Sequence, residues 1–315
     1  MTQHSERRVS TTWGHGFSAL VACAISMAGC AGAVESSKRE DKARREVPVP
    51  ICLKSMERHG SEGVVSALKP EDYWALVLPS YDPAAGTVDL SAADCAGRPV
   101  LASSALMGAE GARSGIVPVK PQDASITPGP DKFKIVWLRT HRFADGGAGG
   151  PIALVRPREG HAEVYAVGVY RGHAEKSRFA IERMGPRILI TASDDGCTKV
   201  KPGDSCETSL SVYLMRAGEL MPAAHIPLDR IAYGTAPGDG SSVQYRLTAT
   251  PVFEDKRIRV VEQVVVSDST QTALRKSNLE RVFKLQPRGQ LSANRESLWS
   301  QVTGEKRAPA APEQN

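Results

Sequence analysis

The feature that most constrains this chain is a strand-turn-strand unit that returns repeatedly between residues 132 and 286. In YRLTATPVF, Tyr245, Leu247, Ala249 and Phe253 alternate with Arg246, Thr248 and Thr250. A period of two sends alternate side chains to opposite faces of a strand. Glu254-Asp255-Lys256 then turns the chain into RIRVVEQVVVSD, and the two segments read as a β-hairpin. In the second, Ile258, Val260, Val264 and Val266 share one face while Val261 and Val265 take the other, which predicts cover on both sides. The unit recurs as FAIE and RILITAS around Gly185-Pro186, and as LSVYLM and ELMPAAHI around Arg216-Ala217-Gly218-Glu219. PIALVRP and AEVYAVGVY flank Arg158-Glu159-Gly160 in the same way.

With KFKIVWLRT and RVFKLQ, the count reaches about ten strands, joined by connections too short for parallel crossovers. The expectation is an all-β fold of antiparallel hairpins and meanders, sandwich-like or propeller-like. A blade-length period of about 40–50 residues, which would select a propeller, is missing.

Residues 47–131 are less regular and read as an N-terminal β subdomain. YWALVLPS and TVDLS, on either side of Asp82-Pro83 and Gly86, look like a further hairpin. The proline-rich stretch 117–131, VPVKPQDASITPGPD, reads as a linker to a C-terminal β-rich subdomain, 132–304. That part is expected to close with a short helix from near Ser292 carrying Leu298 and Trp299. Residues 305–315, rich in proline and alanine, read as a disordered tail.

The first thirty residues have a different character. Arg7 and Arg8 form a short basic region, and an uncharged stretch, FSALVACAISMAG, runs from Phe17 to Gly29. As a helix this stretch rises only about 20 Å, too little for a hydrocarbon core of about 30 Å, and it fits the apolar part of a signal peptide, 1–29. Met27-Ala28-Gly29-Cys30 resembles the lipobox of bacterial lipoproteins, with Met27 where leucine is usual. The resemblance covers residues 1–30 only. It implies cleavage before Cys30, lipid on Cys30, and a membrane partner held through that lipid. Ala31 is not the aspartate associated with inner-membrane retention, so the resemblance points to the outer membrane. Two other readings stay open: ordinary cleavage at Ala31-Gly32-Ala33, giving a soluble periplasmic or extracellular protein, and an uncleaved anchor. Residues 30–46 then read as a lipidated N-terminus and a solvated charged tether, because nothing apolar repeats in them.

Without residues 1–29, the 286 remaining residues carry 38 Lys+Arg against 34 Asp+Glu, a mild and mixed charge. No arginine-rich or aromatic-interleaved basic stretch points to nucleic acid. Cys52, Cys95, Cys197 and Cys206 are an even set in an oxidising compartment. Three pairings are open to them, and the local one, 52–95 and 197–206, is expected. A zinc site is the rival, without a CxxC or a supporting histidine pattern.

No catalytic constellation emerges. The glycine run 145–150 is followed by Pro151 and a strand, with no Gly-Lys-Ser/Thr, and reads as a surface loop. Ser66 and Lys69 match SxxK without its companion motifs. Ser114, in GARSG, is one place from a nucleophile elbow. His59, His141, His161, His173 and His225 contain no i, i+4 pair, although His161 and His173 are candidates to meet across adjacent strands. Asp194, Asp195 and Asp204 surround the Cys197–Cys206 loop without EF-hand spacing. Trp74, Trp137 and Trp299 read as core. No catalytic, cofactor or metal residue is therefore expected. The functional expectation is an envelope lipoprotein acting as a non-enzymatic binding or structural module, with an envelope protein or glycan as partner. The alternative is a secreted hydrolase whose site is assembled from distant positions.

Overall fold

The computed structural model describes residues 48–55, 68–99, 115–197, 203–236 and 240–305, all within one compact unit, 43–315. The leader, Cys30 and the charged tether lie outside the described residues. The N-terminal part contributes β1 (Cys52–Ser55), α1 (Pro70–Val77), β2 (Thr87–Asp89), β3 (Ile116–Pro118) and β4 (Ala124–Pro128). Then come β5 (Lys134–Leu138), β6 (His141–Arg142), β7 (Gly147–Arg158), β8 (His161–His173), β9 (Arg178–Met184) and β10 (Arg187–Asp195). The chain continues through β11 (Cys206–Arg216), β12 (Glu219–Thr235), β13 (Ser242–Phe253), β14 (Arg257–Ser267) and β15 (Ala273–Leu285), and ends with β16 (Leu291–Ala293) and α2 (Leu298–Thr303). The fold is all-β and sandwich-like. β2 and β3 pair separately, and the other strands join one 14-stranded sheet.

That sheet folds over itself at β12. Glu219 and Leu220 pair with both β11 and β8, and Asp229 to Ile231 pair with both β11 and β13. β11 must therefore lie on one edge of β12, and β8 and β13 on the other. The strands hydrogen-bonded through β11, namely β10 and β9, form a middle layer. Ile188, Ile190, Ala192 and Tyr213 project into a cluster with Trp137, Leu154 and Tyr170 of β5, β7 and β8. Their neighbours Leu189, Val212 and Leu214 project the opposite way, against Ile258, Val260 and Phe283 of β14 and β15. Alternation thus fills two cores from one pair of strands.

A third core covers the far side of β5, β7 and β8, where Val136, Leu138, Ala153 and Val155 meet Tyr73, Trp74 and Val77 of α1. The stretch expected as a strand, YWALVLPS, therefore belongs largely to a helix. Pro70 suits the first helical turn, Asp72 accepts the Lys69 backbone N–H at 2.7 Å, and Glu71 and Asp72 complement the helix N-terminus. An apolar run this short carries no decisive period. TVDLS pairs instead with β3. The proline-rich stretch is not a linker: its Ala124–Pro128 segment pairs with β5 at the edge of the sheet, where proline's missing N–H is tolerated.

β14 differs from expectation as well. Ile258, Val260 and Val264 are buried, but Val261 is 41% exposed, so this strand is covered on one side only. The C-terminal helix begins at Leu298, after β16 and an N-cap formed by Ser297. It covers Leu247 and Val264 through Leu298 and Trp299. A buried carboxylate fastens it. Glu262, 1% exposed, accepts from Arg281 Nη1 at 2.6 Å and from the Leu298 backbone N–H at 2.7 Å. Arg281, 6% exposed, also donates to the Arg295 carbonyl at 3.2 Å and lies over the Phe283 ring.

The cysteines pair as 52–95 and 197–206, with Cα separations of 6.0 and 5.0 Å. The first ties β1 to the loop after β2, and the second links the end of β10 to the start of β11.

Two predictions follow from these cross-links. The bridges span 43 and 9 positions, for which loop-closure entropy gives about 4 and about 2.7 kcal/mol. Chemical denaturation should therefore find the Cys52→Ser, Cys95→Ser pair less stable than Cys197→Ser, Cys206→Ser; the reverse order would contradict this assignment. Glu262→Gln leaves Arg281 charged and buried, and should destabilise by about 3–5 kcal/mol. Replacing both by methionine should destabilise far less than the sum of the single changes, measured as a double-mutant cycle.

Candidate functional site

Antiparallel meanders alternate their turns between two ends. The turns joining β9 to β10, β11 to β12, β13 to β14 and β15 to β16 consequently gather at one end, where they surround a cleft of about 1700 Å³. Ala217 and Gly218, both at positive φ (48° and 79°), make the two-residue turn between Arg216 and Glu219. This geometry matches the right-handed twist of the flanking strands. The Gly218 carbonyl accepts from Val167 N at 3.1 Å and from Arg98 Nη2 at 2.8 Å, which fixes the turn against β8. Gly185 packs so closely on the β13–β14 turn that a Cβ there would lie 2.6 Å from the Asp255 carbonyl oxygen. Pro48 to Ile51, the described segment leading into β1, form another wall.

The lining combines apolar and basic side chains. Val49, Ile51, Leu214 and Leu285 contribute carbon surface, and Arg187, Arg216, Lys256, Arg257 and Lys284 contribute charge. Arg257 is paired with Glu254 at 2.5 Å, and Arg259 reaches the other oxygen at 3.0 Å. The hydrogen bonds from Arg257 and Arg259 hold the Glu254 carboxyl below the usual carboxylate range. The side chains of Arg187, Arg216, Lys256 and Lys284 make no hydrogen bond or ion pair with another described residue and are exposed. Against them stands Asp255. The arrangement is suited to holding an anion. Among its described lining residues there is no serine, cysteine or histidine to act as a nucleophile or neutral base.

Tyr165 joins the cleft by a local irregularity. Leu154 pairs with Ala166 and Val155 with Val164, so Tyr165 is an extra residue in β8. Its hydroxyl donates to Glu163 Oε2 at 2.5 Å, beside Arg158 Nε at 2.8 Å, while His161 Nε2 lies 3.4 Å from the other oxygen. Burial opposes charge on Glu163, yet the bonds from Tyr165, Arg158 and His161 hold its carboxyl below the ordinary range. A carboxylate so engaged is a weak proton acceptor.

Among the described residues, those singled out from sequence do not assemble into a second site. Cys30, Ser66, Ser114 and His59 lie outside the described residues, and Lys69 precedes α1. His161 and His173 do not meet: they occupy opposite ends of β8. His225 approaches Glu207 at 3.3 Å. Asp194 accepts from the His173 backbone N–H, and Asp195 from Cys197 N and Thr208 Oγ1, so the two carboxylates hold separate parts of the chain. The glycine run is not a surface loop, since Gly147 to Gly150 open β7. At Gly150, φ is 155° and a Cβ would overlap the Leu138 carbonyl oxygen, so only glycine fits. Trp74, Trp137 and Trp299 are buried as expected, with Trp299 also lying under Arg230 and donating to Glu305 Oε2 at 2.7 Å.

The cleft's cations escaped the sequence reading because they lie between residues 187 and 284. A signal was nonetheless present: each flanks or occupies a turn of the same parity in the meander. Comparison with protein families, with characterised proteins and with solved structures finds no match to this chain. No described helix is long and apolar enough to cross a membrane.

His141 supplies a pH test of the core beside the glycine strand. It is buried, with Nδ1 2.8 Å from Thr140 Oγ1, and burial pushes its pKa below the usual histidine value. The unfolded chain then binds the proton more readily than the folded one. Stability present above about pH 6.5 is lost as pH falls through the folded-state pKa. Denaturant melts should show that loss in the native sequence and a flatter profile in His141→Gln.

Proposed function

We propose that the chain is an exported lipoprotein, anchored to the cell envelope through Cys30, whose β-body is a binding module for an anionic partner. The observation that carries this reading is the set of four cations, without a partner among the described residues, in a cleft walled by Pro48 to Ile51, immediately after the charged segment that leads back to the lipobox. The chemistry of the lining supports binding over hydrolysis. Of its two carboxylates, Glu254 and Asp255, the first is held in its charged form by two arginines, and its cations are placed to attract and hold a ligand rather than to transfer a proton.

The anchor has a direct test. A clickable fatty acid supplied to cells should label the unmutated protein, and Cys30→Ser should abolish the label and leave unprocessed precursor. A mature protein beginning at Val34 would refute the lipoprotein reading and leave a soluble exported protein.

A further inference from the structure

We infer that the cleft docks on anionic phospholipid headgroups of the membrane in which Cys30 is anchored, an inference that rests on the lipoprotein reading above. Four observations lead there. The cations Arg187, Arg216, Lys256 and Lys284 come from four successive turns of one parity and line one cleft, with no ion-pair or hydrogen-bond partner for their side chains among the described residues. Ordinary small-molecule pockets are about 300–1,000 Å³. This open cleft, of about 1700 Å³, has room for more than one phosphate group. Apolar side chains stand beside the charges: Val49, Ile51, Leu214 and Leu285 share the lining, and Val49 is 78% exposed. Basic and apolar groups side by side are the composition of an interfacial membrane contact.

The fourth observation is the reach of the chain. Pro48, in the cleft wall, follows Cys30 by eighteen positions, a span of at most about 60 Å even when fully extended. Lipid on Cys30 therefore keeps the cleft end of the β-body within reach of the headgroups. Lipid insertion and electrostatic attraction would then act as two joint signals, the second weakened by salt.

The test uses the native lipidated protein bound to phosphatidylcholine vesicles with or without phosphatidylglycerol. An uncharged amine-acylating reagent reads out Lys256 and Lys284, with Lys276 as the internal reference. Lys276 lies eight residues up β15 from Lys284, roughly 26 Å along the strand. Docking predicts that Lys256 and Lys284, but not Lys276, react about fivefold more slowly on anionic vesicles than on neutral ones, the shift that attraction of one basic residue to such a surface supports. High salt should reverse the protection, and Arg187→Gln with Arg216→Gln, both exposed positions, should reduce it. Equal reactivity on the two vesicle types would overturn the proposal. So would protection by inorganic phosphate without vesicles, which would place the ligand in solution. Flotation with neutral vesicles reports the lipid anchor separately. If the protein fails to float, the anchor reading falls, and anionic vesicles are compared with buffer alone: protection at the two lysines still supports docking, and its absence refutes it.

Discussion

The structure depends on β10 and β11 having no solvent face. Ile188 and Ile190 point toward β5, β7 and β8, while Leu189, Val212 and Leu214 point toward β14 and β15. One strand pair thereby supplies the inner surface for two sandwiches, and the flanking sheets need bury only their own near faces. The long strand β12 makes this geometrically possible, because it bonds to β11 on one edge and to β8 and β13 on the other. Burying both faces of a strand pair removes about twice the apolar area per residue of a one-sided strand, the dominant favourable contribution to folding.

The outer surfaces are closed by different means. α1 lays Tyr73, Trp74 and Val77 over β5, β7 and β8, and α2 covers one end of β13 and β14. Glu262 serves the second closure in two ways, pairing with Arg281 and accepting the first helical N–H of α2. A buried charge with both oxygens engaged is tolerated because its desolvation is offset by strong, charge-assisted bonds. The opposite face of β14 carries Val261 into solvent, so the molecule has a distinct outer sheet surface.

The cleft is a by-product of meander parity. Once the middle layer sets the strand directions, every second turn lands at the same end, and the residues of those turns become neighbours despite their separation in sequence. Arg187 and Lys284 lie 97 positions apart and line one space. Among the described residues their charges find no partner, which is tolerated because turn residues face water, where an unpaired cation has little desolvation to recover.

Much of the local structure was legible in the sequence. Period-two alternation and turn residues located the hairpins β7–β8, β9–β10, β11–β12 and β13–β14, and the separation of the cysteines into an early and a late pair matched the two disulfides. Those features are decided by neighbours along the chain. PEDYWALV was not legible as a helix, because eight residues with a proline start carry no clear period until a sheet face is present to bury Tyr73 and Trp74. Nor was burial of the glycine run, which follows from the Leu138 carbonyl passing against Gly150. The sequence by itself determined a β-meander with its turns. Only the tertiary structure decided which strands acquire two covered faces and which turns meet, because both depend on strand pairing across long stretches of chain, and periodicity specifies a face without naming the surface that will cover it.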